Sequence, residues 1–355
     1  MEENEYLEQY LKMVMQQEPI VESSTDDEEF QNLASNNSMM RECLSVLARN
    51  SKGRLVFSVA NFSDKKLKKL DGLETFIHLQ KLNLSNNRIC SLPQLSKTVD
   101  LTSIDLTNNL ITIFPDCLCK LPLTELRIGK NKLTAFPDFA EFPQLCILDI
   151  SHNEIQSLHN TSVSSNLQCL DVSHNPLNGD ITDIKSFPKA KRLSANNCGA
   201  STDSLFPAFN LVQSLNANRG TLTSLRILNN FTNLKELDVA FNRLAKLSEL
   251  RFIEHLQFLT KLDLSGNTCQ KSKFYKRRVL HILPSLTELD GCQVGAQQHV
   301  EAFVFYGGDL EMRKQIFSHY LPDEEFVDYR FENSEMIANE LDDQLDGTVA
   351  DFFIF

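Results

Sequence analysis

The sequence predicts an α/β solenoid, in which the short strands of successive repeats stack into one parallel sheet. Two observations predict this fold. The pattern LxxLxLxxNxL occurs nine times, and the units begin at intervals of 22, 22, 22, 22, 23, 22, 22 and 25 residues. Each unit also places apolar residues at alternate positions of a short extended segment, which is the spacing of a strand with one buried face.

The pattern itself assigns inward and outward positions within each repeat. Positions 1, 4, 6 and 11 are mainly apolar. We therefore expect them to face the core of a leucine-rich-repeat solenoid with a curved parallel sheet on its concave side. The nine units start at Leu79, Leu101, Leu123, Leu145, Leu167, Ala190, Val212, Leu234 and Leu259.

Position 9 is asparagine in seven of the nine units. Such a side chain can turn inward and bond backbone groups of adjacent turns, which a buried loop must satisfy. Cys198 and Gly220 interrupt this series. Because the same two repeats carry Ala195 and Ala217 at position 6, we expect the array to be thinner at this point.

The composition and the repeats divide the chain into six predicted segments. An acidic segment with a short amphipathic helix precedes an N-terminal cap and a degenerate opening repeat, and a helix is expected over Met39–Leu47. After the nine repeats come a C-terminal cap, a helical extension and an acidic tail with aromatic residues. The predicted segments are 1–37, 38–78, 79–269, 270–294, 295–322 and 323–355.

The C-terminal cap carries the most specific signal outside the repeats. Its defining features are Asn267, Tyr275–Lys276, Val279, Leu283–Pro284, Leu286 and Leu289–Asp290–Gly291. This segment resembles the cap of intracellular leucine-rich-repeat proteins. That group includes the nuclear regulatory subunit of protein phosphatase one, the spliceosomal A-prime protein and the acidic leucine-rich nuclear phosphoproteins. The resemblance implies a helical cap and a protein that binds other macromolecules.

The charge and cysteine content of the chain indicate the cellular compartment in which it works. The net charge of −12 divides into −9 for residues 1–35, −10 for residues 323–355 and +7 for the residues between them. Nine cysteines are scattered without a CxxC pair, and the acidic N-terminus has no signal-peptide pattern. These features predict reduced thiols and a cytoplasmic or nuclear protein. No apolar run approaches the roughly 20 residues of a membrane span, so no membrane association is expected.

The candidate partner-binding residues lie in two columns on the predicted outward face of the sheet, at positions 5 and 8. Arg127 follows Asp105 and precedes Asp149 in one column, which predicts a cross-strand ion pair. The full set is Asp105, Arg127, Lys130, Asp149, His152, Asp171, His174, Arg219, Asp238 and Phe241.

Three interpretations of the centre of this face stay open. Asp149, Asp171, His152 and His174, with Cys146 and Cys169 nearby, are residue types that bind metals. The same residues could form a protein-binding patch, or a merely solvated surface. The spacing follows from the repeat itself, so we predict no metal ligands, cofactor or catalytic residue.

A basic run in the cap is a second candidate surface. It could contact RNA phosphates or an acidic partner, or it could be the solvated face of the cap helix. The run comprises Lys271, Lys273, Lys276, Arg277 and Arg278.

The functional prediction is a non-enzymatic adaptor, scaffold or regulatory subunit that binds a protein partner through the concave face. No phosphate-binding loop, HExxH motif or nucleophile elbow is present. A ribonucleoprotein or chromatin-associated component and a phosphatase regulatory subunit are the alternatives that the resemblance implies. Nucleic acid contact is expected only indirectly or through the basic run. The acidic tail is expected to dock on the chain itself or on a partner.

Overall fold

The computed structural model describes residues 42–49, 55–70, 73, 77–135, 139–157, 164–177, 189–198, 211–306, 309–323 and 325–326. The chain divides into two compact units, residues 1–43 and 44–355, and all elements below belong to the second. The predicted amphipathic helix in residues 1–37 and most of the acidic tail lie outside the described residues. The segment boundaries assigned from the sequence stay predictions.

Over the described residues, one sheet of thirteen strands follows the order of the chain. Neighbouring strands are parallel from β2 to β12, as predicted, and antiparallel at each end. The strands are β1 Leu44–Arg49, β2 Leu55–Asn61, β3 Lys81–Asn83, β4 Ser103–Asp105, β5 Glu125–Arg127, β6 Ile147–Asp149, β7 Cys169–Asp171, β8 Arg192–Ser194, β9 Ser214–Asn216, β10 Glu236–Asp238, β11 Lys261–Asp263, β12 Glu288–Leu289 and β13 Cys292–Gln293.

The register of the sheet is that of the sequence repeat. Position 4 of one repeat lies beside position 4 of the next, as Leu126 does beside Leu148, and Leu148 beside Leu170. These leucines are at most 2% exposed, because the next layer of the solenoid covers each of them. No single repeat can bury this surface alone, so the core forms only when repeats stack.

Short helices return the chain on the other side of the sheet. The 3-10 helices among the described residues are Pro93–Lys97, Asp116–Lys120, Phe139–Glu141, Arg226–Leu228, Leu247–Phe252 and Thr268–Lys271. Three α-helices follow the last repeat: α1 Tyr275–Ile282, α2 Ala296–Tyr306 and α3 Leu310–Tyr320. In α1, Tyr275 and Val279 are buried.

The front of the array differs from its prediction. The helix expected over Met39–Leu47 is wrong from Leu44 onward, where β1 pairs antiparallel with β2. β2 is itself in register with β3, so its other edge carries backbone groups that need partners. A strand can pair those groups and a helix cannot.

The asparagines at position 9 bond the turns to one another. The Asn153 amide donates to the carbonyls of Ile128 (3.1 Å) and Ile150 (2.9 Å), and its Oδ1 accepts from Leu133 N–H (3.0 Å). One side chain therefore joins two consecutive repeats. The other members of this ladder are Asn87, Asn109, Asn131, Asn175, Asn242 and Asn267.

The two interruptions of the ladder are accommodated differently. The Cys198 thiol takes the donor role and lies 3.3 Å from the Val172 carbonyl oxygen. At Gly220 a Cβ atom would stand 2.8 Å from Asn242 Oδ1, so the glycine leaves room for the next ladder asparagine. Ala195 is buried as an inward residue, and Ala217 is half-buried.

We expect Asn153→Ala to lower the free energy of unfolding by about 1–3 kcal/mol. The substitution leaves the buried Leu133 N–H without its acceptor, which carries this cost, while the carbonyls of Ile128 and Ile150 keep donors from Asn131 and Asn175. Urea unfolding followed by circular dichroism measures the change. Asn229→Ala, at an exposed position, is the matched control and should have little effect. Equal stabilities for the two variants would contradict the role of the ladder.

Candidate partner-binding face

The backbone at position 8 is left-handed in all nine repeats, with φ between 50° and 71°. In eight of these repeats the N–H at position 8 donates to a carbonyl of the next repeat: His152 N–H donates to the Ser173 carbonyl at 2.8 Å, and Phe241 N–H to the Ser265 carbonyl at 2.7 Å. The Gly266 N–H donates to Gln270 Oε1 at 3.1 Å instead. The nine residues are Asn86, Asn108, Lys130, His152, His174, Asn197, Arg219, Phe241 and Gly266.

Position 8 favours glycine and asparagine for steric reasons. Four of the nine repeats have one of these residues, and the other five have larger side chains in the same strained conformation. Each of these five costs about 1–2 kcal/mol relative to an unstrained residue. The repeat pattern predicts that this column faces outward. It did not predict the left-handed backbone, although the frequency of Asn and Gly in the column is a signal for it.

Side chains in the position-8 column also contact one another. Asn108 Nδ2 donates to Asn86 Oδ1 at 2.9 Å. The rings of His152 and His174 stack with centroids 4.0 Å apart and planes 12° apart. His174 Nδ1 in turn lies 3.3 Å from the side-chain amide nitrogen of Asn197.

The column continues toward the C-terminal repeats with an aromatic contact. Arg219 Cζ lies 5.6 Å from the centroid of the Phe241 ring, within cation–π range. The Phe241 side chain lies so close over Gly266 that a Cβ there would be 2.5 Å from the ring. Phe241 is nevertheless 57% exposed, so its outer face is available to another molecule.

The predicted acidic residues at position 5 have a structural role. Asp105, Asp149, Asp171 and Asp238 each accept a hydrogen bond at 2.8–3.0 Å from the backbone N–H two residues later. This turn ends each strand and leads into position 8. The aspartates are half-buried, so they contribute less to the open surface than position 8 does.

The cross-strand ion pair predicted for Arg127 is wrong. Its guanidinium contacts Glu125 of the same strand instead. Asp105 and Asp149 instead accept hydrogen bonds from the backbone N–H groups of Thr107 and Ser151. Because the Arg127–Glu125 pair is exposed, it contributes only about 0–1 kcal/mol.

One stacked histidine, His152, and one nearby carboxylate, Asp171, have shifted pKa values. Partial burial, followed by the charges of His174 and Lys130, lowers the pKa of His152 below 6.5. Burial raises the pKa of Asp171 above its usual 3.8, and Asp149 adds to this effect. Among the residues that the structure describes, no group of three metal-binding side chains is placed to hold an ion.

The basic run is divided by its contacts. Lys271, Lys273 and Lys276 are exposed, whereas Arg277 is half-buried. The Arg277 guanidinium lies 3.6 Å from Glu301. It also stands over two aromatic rings, those of Phe274 at 5.8 Å and Phe305 at 5.1 Å. Arg277 therefore joins α1 to α2, and the three lysines remain as the open positive surface.

Comparison with known proteins agrees with this architecture. Models of the leucine-rich-repeat family match residues 78–97, 100–121 and 122–177. These matches and the stacked repeats identify a leucine-rich-repeat solenoid, a fold whose proteins typically mediate protein–protein interactions. Within the part of the chain that the structure describes, no helix has the length and apolar character of a membrane span.

Two curated relatives come from Caenorhabditis elegans. An uncharacterised protein is 31% identical over 137 residues, which covers 38% of this chain and 29% of the relative. Acidic leucine-rich nuclear phosphoprotein 32-related protein 1 is 32% identical over 136 residues, covering 37% of this chain and 58% of the relative. The chain thus matches well under two thirds of the length of either relative.

A solved structure supports the fold alone. The functional domain of InlJ from Listeria monocytogenes aligns with a TM-score of 0.52 at 21% identity. The alignment covers 68% of this chain and 56% of that domain.

We expect Lys130→Asn to raise the free energy of unfolding by about 1 kcal/mol, because asparagine adopts the left-handed conformation at a lower cost. Lys132→Asn, two residues later and also exposed, does not remove a left-handed lysine and serves as control. Thermal unfolding of both variants measures the difference. An unchanged or lowered midpoint for Lys130→Asn alone would refute the assigned strain.

We expect His174→Asn to raise the pKa of His152, because it removes a neighbouring positive charge from a stacked ring. Histidine NMR signals followed over pH measure this pKa. A folded-state pKa below 6.5 means that the unfolded chain binds more protons, so this group lowers stability as the pH falls through 6.5. The control is His255→Asn, outside the column. An unshifted His152 pKa in His174→Asn would argue against the coupling.

Proposed function

We propose that this protein is an adaptor or regulatory subunit that binds a protein partner through the exposed face of its sheet. One observation carries the proposal: five large side chains occupy left-handed positions where asparagine or glycine would be more stable. Strain that persists at a set of surface positions is typical of functional sites. The five residues are Lys130, His152, His174, Arg219 and Phe241.

The chemistry of this column suits a protein surface. Phe241 offers an exposed ring as an anchor, and aromatic residues and arginine are enriched among residues that dominate binding energy. The His152–His174 stack offers a flat polar surface beside Lys130 and Arg127. Ile147, beside Glu125 in the adjoining strand, is 36% exposed and adds an apolar surface. Binding, without catalysis, is the activity that we infer.

A nuclear ribonucleoprotein or chromatin-associated role is the second candidate. It is supported by the similarity to a protein named as related to acidic leucine-rich nuclear phosphoproteins, and by the exposed lysines Lys271, Lys273 and Lys276. It makes the nucleus the proposed location. A phosphatase regulatory role is supported only by the sequence of the cap, so we place it third.

We change Lys130, His152 and Phe241 to Asn together in the full chain. We expect this variant to recover its main protein partner in an amount lower by about tenfold or more. Asparagine keeps the left-handed backbone, so the fold is preserved while the side chains that contact the partner are removed. Affinity purification with quantitative mass spectrometry measures the partner. The matched control changes Lys132, Gln257 and Phe258, which are also exposed, to Asn.

If the variant with Lys130, His152 and Phe241 changed to Asn retains the partner, the exposed face of the sheet does not bind it. A partner that is lost from the wild-type chain after nuclease treatment would favour the ribonucleoprotein alternative. A partner lost equally from both triple variants would indicate non-specific capture.

A further inference from the structure

A cavity of about 370 Å³ lies at the C-terminal end of the array, between α1, α2 and the β12–β13 hairpin. Its volume is at the lower end of the roughly 300–1,000 Å³ of ligand pockets. The buried side chains of Leu280 and Leu289 and the half-buried Phe274 and Val294 form an apolar wall. The described part of the chain leaves this apolar wall open to a further side chain.

The rim of this cavity is basic. Lys276 lines it and is exposed, while Glu301, the acidic residue of the lining, is paired with Arg277. Lys271 and Lys273, also exposed, precede Lys276 in the same segment. Among the described residues, Lys276 is thus the charged residue of the lining without an ion pair, and two further exposed lysines stand in its segment. A suitable occupant combines apolar side chains with acidic ones.

The chain leaves the described structure close to this cavity. The Phe326 ring lies 5.4 Å from that of Phe317 on α3 and joins a cluster with Val300 and Val304 of α2. α2 also contributes Gln298 and Glu301 to the cavity lining. Phe326 and the cavity are thus separated by about the length of one 11-residue helix, ~16 Å.

The segment after Phe326 has the required composition and length. Residues 327–355 contain eight acidic residues and one arginine, a net charge of −7. They also contain Phe352 and Phe353 in the run DFFIF, which a purely solvating acidic segment lacks. Twenty-nine residues can extend to ~95 Å at about 3.3 Å per residue, far more than the distance to the cavity.

We propose that this cavity binds the chain's own C-terminal segment, residues 342–355. Phe352 and Phe353 occupy the apolar wall. The acidic residues before them pair with the three exposed lysines of the cap. The acidic residues are Asp342, Asp343, Asp346 and Asp351.

The face of the sheet is a less suitable place for this segment. There Lys130 and Arg127 alternate with half-buried aspartates and with Glu125, so the surface has mixed charge. Within the described residues, the cap combines an open apolar cavity with exposed lysines that form no ion pair. Docking at the cap leaves the position-8 column free, so this proposal stands or falls independently of the proposed function.

Zero-length carbodiimide coupling of the full chain tests the proposal, because this reagent joins a lysine amine to a carboxylate that touches it. Mass spectrometry should find links from Lys271, Lys273 and Lys276 to residues 342–351 at about tenfold the yield of links from the exposed control lysines, since a docked segment has a high local concentration. The control lysines are Lys97, Lys120 and Lys132.

Two full-chain variants separate docking from general charge attraction. Changing Phe352 and Phe353 to Ser should reduce the cap links to the level of the control lysines. Gln298→Trp, which fills the mouth of the cavity, should do the same. Cap links that persist in both variants would overturn the apolar part of the proposal.

A mixture of nitrogen-14 and nitrogen-15 labelled chains identifies the source of the segment. Links within chains of one label support docking on the same molecule. Mixed-label links would show docking on a second copy and would overturn the proposal as stated. Links that are concentrated at Lys130 would instead place the segment on the sheet face, and evenly spread links would show no docking site.

Discussion

The structure depends on hydrogen bonds between consecutive repeats that run through buried asparagine side chains. A solenoid turn buries backbone N–H and carbonyl groups that no regular helix or strand pairs, and each unpaired group costs about 1–3 kcal/mol. Asn153 satisfies groups of its own repeat and of the previous one, and the same bonds recur along the array. Stacking of the leucines buries apolar surface. The asparagine hydrogen bonds set the distance between the consecutive repeats that stack.

The same requirement shapes the candidate binding face. The backbone becomes left-handed at position 8, three residues after each repeat strand ends, and in eight of the nine repeats the N–H there pairs with the next repeat. The aspartate at position 5 supports this turn by accepting the N–H two residues later. The surface is thus a column of side chains held on constrained backbone, and a rigid support lowers the entropy lost on binding a partner. Contacts such as the His152–His174 stack order the column further.

Much of this arrangement could be predicted from the sequence, because spacing carries the information. The 22-residue period gave the parallel sheet, its register and the outward columns, and asparagine at position 9 predicted the ladder. The partners of individual charged side chains could not be predicted. Arg127 has acidic neighbours on both adjacent strands and within its own strand, and only the turn geometry, which engages Asp105 and Asp149, leaves Glu125 as its partner.

The sequence by itself determined that the chain is a leucine-rich-repeat solenoid, since a regular apolar period specifies which residues are inward at every turn. Tertiary structure alone decided how the array ends and what its ends expose. At the front, the open edge of β2 is paired by a strand where a helix was expected. At the back, packing of Arg277 between α1 and α2 leaves three lysines and an apolar cavity open. Both outcomes depend on contacts between segments outside the repeat, where no periodic pattern links position to environment.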